Sequence, residues 1–224
     1  MHFEMRFYNV AQGRGEDMRA RMVQDLTRIF KGNGVPIAGA WFVEAGEGLP
    51  RIAYIMAHDS HESAAACWTG FYADPDWHET RSRTNAGSEL VERVEIAMGV
   101  PFVEIRPGED VRSDAPADEL VRLSLVPGTV PEAVALVSEH LSPALAEVGG
   151  QVLGNFSVTS GLEMPSLALI LRYPDAAARR AGGALLDSAA QLRGGPVARL
   201  ARLPLAPIEP CRARPGLPPL LREG

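Results

Sequence analysis

The chain repeats itself, and this limits its possible folds more than any single motif does. At a shift of 116 positions Arg6 meets Arg122, Phe7 meets Leu123, Val10 meets Val126, Glu16 meets Glu132 and Met18 meets Val134. At a shift of 115, Gly39, Val43, Gly46, Pro50, Ala53 and Ile55 meet Gly154, Val158, Gly161, Pro165, Ala168 and Ile170, and Trp41 meets Phe156. Dropping one residue joins the two registers. Solenoid repeats run to roughly 20–50 residues, so a period this long means a duplicated domain.

Each copy spells strand, helix, strand, strand, helix, strand. In the first, FEMRFYNV alternates and ends at AQGRG, and Glu16 to Phe30 places Met18, Met22, Leu26, Ile29 and Phe30 on one helical stripe that KGNG stops. Ile37 to Ala45 and Arg51 to His58 are apolar strands joined by GEGLP, a hairpin composition. Ser60 to Thr84 is helical with a break at ADPDW, where Asp74 caps a fresh start at Pro75. Glu89 to Ala97 closes the unit. The second copy follows with a strand at Leu120 to Val126, a helix at Pro131 to Val148, strands at Val152 to Thr159 and Leu167 to Tyr173, a helix from Asp175 to Leu192, and a strand at Val197 to Leu203.

This order predicts an α+β fold made of two ferredoxin-like (βαββαβ) repeats. Helices cover one face of such a sheet, yet Phe3, Met5 and Phe7 on one parity and Tyr8 and Val10 on the other are all large and apolar. The second sheet is therefore expected to pack on the first, giving an intramolecular dimeric α/β barrel. The expected organisation is a first domain at 1–102, a linker at 103–118, a reduced second domain at 119–205 and a Pro-rich, irregular or mobile tail at 206–224.

Composition excludes several partners. The chain has 224 residues, 46% of them hydrophobic, with a net charge of −6. That acidity opposes attraction to nucleic acid or anionic lipid. No apolar run approaches the roughly 20 residues that span a bilayer, and the chain opens on a strand rather than a basic leader, so a cytoplasmic protein is expected. Cys67 and Cys211 are the only cysteines and are read as free thiols.

Chemistry-bearing residues concentrate in one stretch. Residues 54–81 hold Tyr54, His58, Asp59, His61, Trp68, Phe71, Tyr72, Trp77, His78 and Arg81, which include three of the five histidines and two of the three tryptophans. Tyr54 and His58 share a strand parity, and His61, Trp68 and Tyr72 fall near one helical face. One reading is a lined cavity in which His58 moves a proton, since an imidazole titrates near neutrality, while Tyr54 or Tyr72 holds a developing oxyanion. Trp41, His61, Trp68, Phe71, Trp77, His78 and Arg81 would then bind the substrate. The plainer reading is that the aromatic residues pack a helix on a sheet and His58 caps a strand end. Arg6 and Arg122, present in both copies, are expected to be charge-paired structural residues.

The ligand types at His58, Asp59, His61, Glu62 and His78 lack the regular facing of a metal helix, so no metal is expected. No haem-attachment motif, nucleophile elbow or dinucleotide fingerprint occurs, and no cofactor is expected.

The opening FEMRFYNVAQGRGEDM, the strand-to-helix MAHDS and the element ADPDWHE resemble the NIPSNAP family, a branch of the dimeric α/β barrel superfamily, over about residues 3–102 and more faintly over 119–204. The resemblance implies that fold, and a superfamily that includes cofactor-free monooxygenases, polyketide cyclases and haem-binding enzymes. It also implies departures. Relatives usually carry Trp-Ala-Tyr-Asp where this chain has Met56, Ala57, His58 and Asp59, and arginines where it has Ala64, Cys67 and Trp68. A pocket there would favour a neutral, flat ligand over an anionic one.

The functional expectation is a cofactor-independent tailoring enzyme of the cyclase, isomerase or monooxygenase type, acting on an aromatic or polyketide-like small molecule in a natural-product pathway. The alternative is a non-catalytic binding or accessory protein for such a ligand. A homodimer or a pathway-enzyme partner suits either. The second copy lacks ADPDWHE and is expected to be the structural half.

Overall fold

The computed structural model describes residues 1–105, 110–111, 113–161, 163–188 and 195–221. The fold mixes α and β structure and divides into two compact units. The first comprises Met1–Ile96 with Pro207–Ala213 and Leu217–Gly224, and the second Ala97–Ala206 with Arg214–Gly216.

In the first unit, strands β1 (His2–Val10), β2 (Ile37–Val43) and β3 (Arg51–His58) are antiparallel, with β3 central. The register sets Glu4 opposite Met56, Arg6 opposite Tyr54 and Ala40 opposite Tyr54. Pairing by whole residues sends Glu4, Arg6, Tyr8, Tyr54, Met56 and His58 to a single face, because side chains alternate along a strand. Strand β4 (Val91–Val100) follows, and the division between units falls within it.

Helices α1 (Gly15–Ala20) and α2 (Thr27–Gly32) are joined by a π-helical turn at Arg21–Leu26. Their apolar stripe of Met18, Met22, Leu26, Ile29 and Phe30 is buried with Ile52, Tyr54 and Met56. Helix α3 (His61–Ala73) begins at a capping box, in which Ser63 N–H donates to Ser60 Oγ at 3.1 Å and Ser60 N–H donates to Ser63 Oγ at 3.0 Å. It stops before Asp74, whose Oδ1 accepts from Asp76 N–H at 2.8 Å and so starts α4 (Pro75–Thr84).

Two glycines answer to space. A Cβ on Gly39 would stand 2.4 Å from Trp41 Cη2, so the indole lies where a side chain would be. Gly48 in the hairpin has φ +73°, and its carbonyl accepts from Asn9 Nδ2 at 2.7 Å.

The second unit repeats the order with β5 (Ala117–Leu125), α5 (Val130–Leu136), a π-helical turn at Val137–Leu141, α6 (Ser142–Glu147), β6 (Gln151–Ser160), β7 (Ser166–Tyr173), α7 (Ala176–Ser188) and β8 (Val197–Pro207). Strand β7 lies between β5 and β6, and β8 pairs with the other edge of β5. Among the described residues one helix, α7, lies between β7 and β8, where the first unit has both α3 and α4. The last part of the predicted Asp175 to Leu192 helix lies outside the described residues. Arg172 is fully buried between Asp118, at 2.7 Å, and Asp110, at 2.8 Å. Arg6 is charge-paired as expected, whereas Arg122 Nε has no partner among the described residues.

The tail after Pro207 is irregular, as its composition predicts, but it is packed. Ile208 N–H donates to Ala40 O at 2.9 Å, Ala40 N–H to Cys211 O at 2.9 Å, and Leu220 N–H to Ile37 O at 2.7 Å. Ile208 and Cys211 join the first unit's core. Apolar burial outweighs the proline count, because burying one isoleucine side chain is worth about 1.5–3 kcal/mol.

Candidate functional site

Three polar residues of β1, at alternate positions, face the helices. Glu4 and Arg6 are almost fully buried. Arg6 Nε donates to Glu4 Oε1 at 2.6 Å, and the second carboxylate oxygen accepts from Trp68 Nε1 at 2.8 Å. His58 Nε2 lies 3.1 Å from that same Oε2. Burial disfavours the Glu4 charge, but the His58 hydrogen bond, the Arg6 charge and the Trp68 hydrogen bond overcome it and hold the carboxyl below its ordinary value. An ionised carboxylate only accepts, so His58 Nε2 carries a hydrogen. Its Nδ1 faces Cys67 Sγ at 4.0 Å. Burial, then the Glu4 charge, pushes the Cys67 thiol up to about 11, so it is no thiolate nucleophile at neutral pH.

Arg6 turns its other end to phenols. Nη1 donates to Tyr72 Oη at 3.2 Å and to Tyr8 Oη at 3.4 Å, and the guanidinium carbon lies 3.6 Å from the centre of the Trp68 ring. Tyr54 Oη donates to Tyr8 Oη at 2.5 Å. Burial opposes the Arg6 charge, but the oxygens of Tyr54, Tyr8 and Glu4 hold it above its ordinary value. Tyr54 is fully buried, and burial followed by Tyr8 raises it well above the usual phenol range, so it stays neutral.

These phenols line a cavity of about 190 Å³ whose walls include Met18, Leu26, Phe30, Phe71 and Trp77, with Arg21, Arg81 and Glu89 as charged members. Phe71 and Trp77 lie 4.7 Å apart between ring centres, and Phe71 and Tyr72 lie 5.4 Å apart. Arg81 pairs with Glu89 at 2.9 Å. His58 lines a different cavity, of about 630 Å³, with Lys31, Pro36, Asp59, Ser63 and Pro219.

The predicted site is thus divided. Tyr54, Tyr72, Phe71, Trp77 and Arg81 meet at the aromatic cavity. Trp68 stands behind it, holding Glu4 and stacking on Arg6. His58 reaches it only through Glu4 and Arg6. Tyr54 and Tyr72 line the aromatic cavity, whereas His58, four residues along β3 from Tyr54, is among the residues that line the larger one. Trp41 is wholly buried over Gly39, on the opposite strand parity from Tyr54. His61 is exposed and stacks with His2 at 4.2 Å between ring centres, and His78 is exposed on α4. None of these three lines the aromatic cavity.

Glu4, Tyr8 and Arg21 were not predicted. Their signal is the duplication itself, since the second copy has Leu120, Ser124 and Val137 in their places. Among the described residues, no group of three or more His, Cys, Asp or Glu is placed to hold a metal ion, and no helix is long and apolar enough to cross a membrane.

The comparison with curated proteins finds no match. Solved structures do match over nearly the whole chain. A candidate monooxygenase from Lactobacillus acidophilus NCFM is 13% identical, with a TM-score of 0.64 and 96% of each chain covered. A second candidate monooxygenase, from Fusobacterium nucleatum subsp. nucleatum, is 10% identical with a TM-score of 0.63, covering 93% of this chain and 92% of that one. An anthrone oxidase-like protein is 11% identical with a TM-score of 0.58, covering 93% and 91%. At these identities the likeness is one of fold. The NIPSNAP family model matches residues 3–102 and 119–191, one segment in each copy of the duplication, and the chain belongs to the NIPSNAP family.

Proposed function

We propose that this chain is a cofactor-independent tailoring enzyme that binds a flat aromatic or polyketide-like molecule in the Tyr8, Tyr54 and Tyr72 cavity and stabilises the oxyanion formed when that molecule enolises. The two units are read as ferredoxin-like repeats on their shared element order, the first carrying the site. One observation carries the functional reading: the Tyr8 oxygen accepts from both Tyr54 and Arg6. With both acceptor sites used, the Tyr8 O–H is left to donate, and the free space in front of it is the cavity. Tyr72 Oη likewise accepts from Arg6. Two phenols polarised by one buried guanidinium form a donor pair aimed at developing negative charge.

Proton loss from the ligand carbon leaves the electron pair on its oxygen, held by the two phenols. Glu89 is the one carboxylate lining this cavity among the described residues, and it is the group assigned to take the proton. His58 is a positioning residue that holds Glu4, which in turn holds Arg6. The enolate then proceeds to cyclisation, isomerisation or oxygenation. The likeness to an anthrone oxidase-like protein makes anthrone the first substrate to try.

The test is oxygen uptake with anthrone by wild type and Tyr8→Phe. Turnover that falls about a hundredfold in the variant, with KM little changed, is expected for loss of one oxyanion donor. Equal turnover by both proteins sinks the assignment. A second reading, binding without turnover, is favoured by the position of His58 away from the cavity; it predicts saturable anthrone binding with no oxygen consumed.

A further inference from the structure

Arg21 opens the π-helical turn and is only 3% exposed, yet no carboxylate pairs with it among the described residues. Its Nη2 donates to Asn85 Oδ1, and its Nε has no partner among the described residues. The guanidinium carbon stands 5.8 Å from the Trp77 ring centre, and the residue lines the aromatic cavity. The two acidic groups nearby are committed elsewhere, Glu89 to Arg81 at 2.9 Å and Asp25 to Arg83 at 2.7 Å. Burial first, and then the charges of Arg14 and Arg81 against the opposing pull of Glu89 and Asp25, lower Arg21 to about 10. This cation therefore has no carboxylate of its own among the described residues, although Glu89 and Asp25 are near enough to act on it.

The second unit shows what the fold itself needs at this position. Val137, 116 positions on, opens the equivalent π-helical turn and is 2% exposed. An apolar side chain suffices there. The first unit therefore keeps a buried charge that its architecture does not require, at the wall of its cavity.

We propose that Arg21 binds the carboxylate of the ligand, which makes that ligand an aromatic acid with its rings against Phe71 and Trp77. A carboxylate suits the Nε donor, and because Arg81, the other guanidinium lining the cavity, is paired with Glu89, the one remaining guanidinium suits a monoanion rather than a phosphate. This replaces the neutral ligand expected from the composition of α3. It rests on the reading of the aromatic cavity as the ligand site.

Naphthoate and its uncharged amide separate the two ideas. Titrations followed by tryptophan fluorescence and calorimetry should show wild type binding naphthoate roughly ten- to a hundredfold more tightly than naphthamide, the range for one charge-assisted hydrogen-bonded contact. Arg21→Met should erase that preference by weakening naphthoate alone. Equal affinity of wild type for acid and amide, a comparison that needs no variant, overturns the role of Arg21 and leaves the aromatic cavity standing. So does a preference that survives Arg21→Met. If neither compound binds, the cavity reading fails and this one fails with it.

Discussion

Trp68 donates its indole N–H to Glu4 at 2.8 Å, so helix α3 is fastened to strand β1 through the same carboxylate that neutralises Arg6. The aromatic face that looks like ordinary packing in the sequence is anchored to a buried ion pair. Removing the anion should therefore be felt both in stability and in the site.

Glu4→Gln leaves Arg6 buried without its counter-charge. Breaking a buried pair by removing one partner costs about 3–5 kcal/mol. Urea unfolding followed by tryptophan fluorescence should show a lower midpoint with an unchanged slope. A loss below about 1 kcal/mol would mean that Arg6 finds water or another partner, and that the pair is not a structural centre.

Acid should reproduce that loss in the wild type. The folded Glu4 carboxyl is held below its unfolded value, so its contribution is fully present above about pH 4.3, the ordinary glutamate value, and disappears as pH falls through the lower folded value. Thermal melts of wild type and Glu4→Gln should converge as pH falls below about 4. A gap between them that stays constant down to pH 2 would contradict the depressed value.

Gly39 tests a different link, from backbone space to packing. Gly39→Ala sets a Cβ 2.4 Å from Trp41 Cη2 and 2.8 Å from Ala213 Cβ. Overpacking of this kind typically costs about 1–3 kcal/mol. Differential scanning calorimetry should show a lowered Tm. An unchanged Tm would mean that the indole moves aside freely.

The repeat, the strands and the break between α3 and α4 were legible in the sequence because each rests on local spacing. Asp74 and Pro75 together suit a cap and a first helical position, and Ile37 to Ala45 and Arg51 to His58 are apolar runs with the hairpin composition GEGLP between them. The heart of the site was less legible. Glu4 and Arg6 look like surface charges on a strand, and only pairing across 54 and 64 residues, with His58 and Trp68, makes them interior. Arg21 lies in a helical segment whose apolar stripe is clear, but the π-helical turn that begins at it is set by hydrogen-bond register and leaves no mark on that stripe. Comparing the two copies does flag Glu4, Tyr8 and Arg21, because folding alone is satisfied by leucine, serine and valine in the same places.

The packed tail bears on how the molecule is made. Both backbone groups of Ala40 in β2 bond to Ile208 and Cys211, residues that follow the whole of β5 to β8 in the chain. During synthesis from the amino end, the first unit therefore waits for segments translated after the second. A fragment ending at residue 206 would be an unfinished first unit rather than a shorter version of the protein, with Ala40 still lacking both partners.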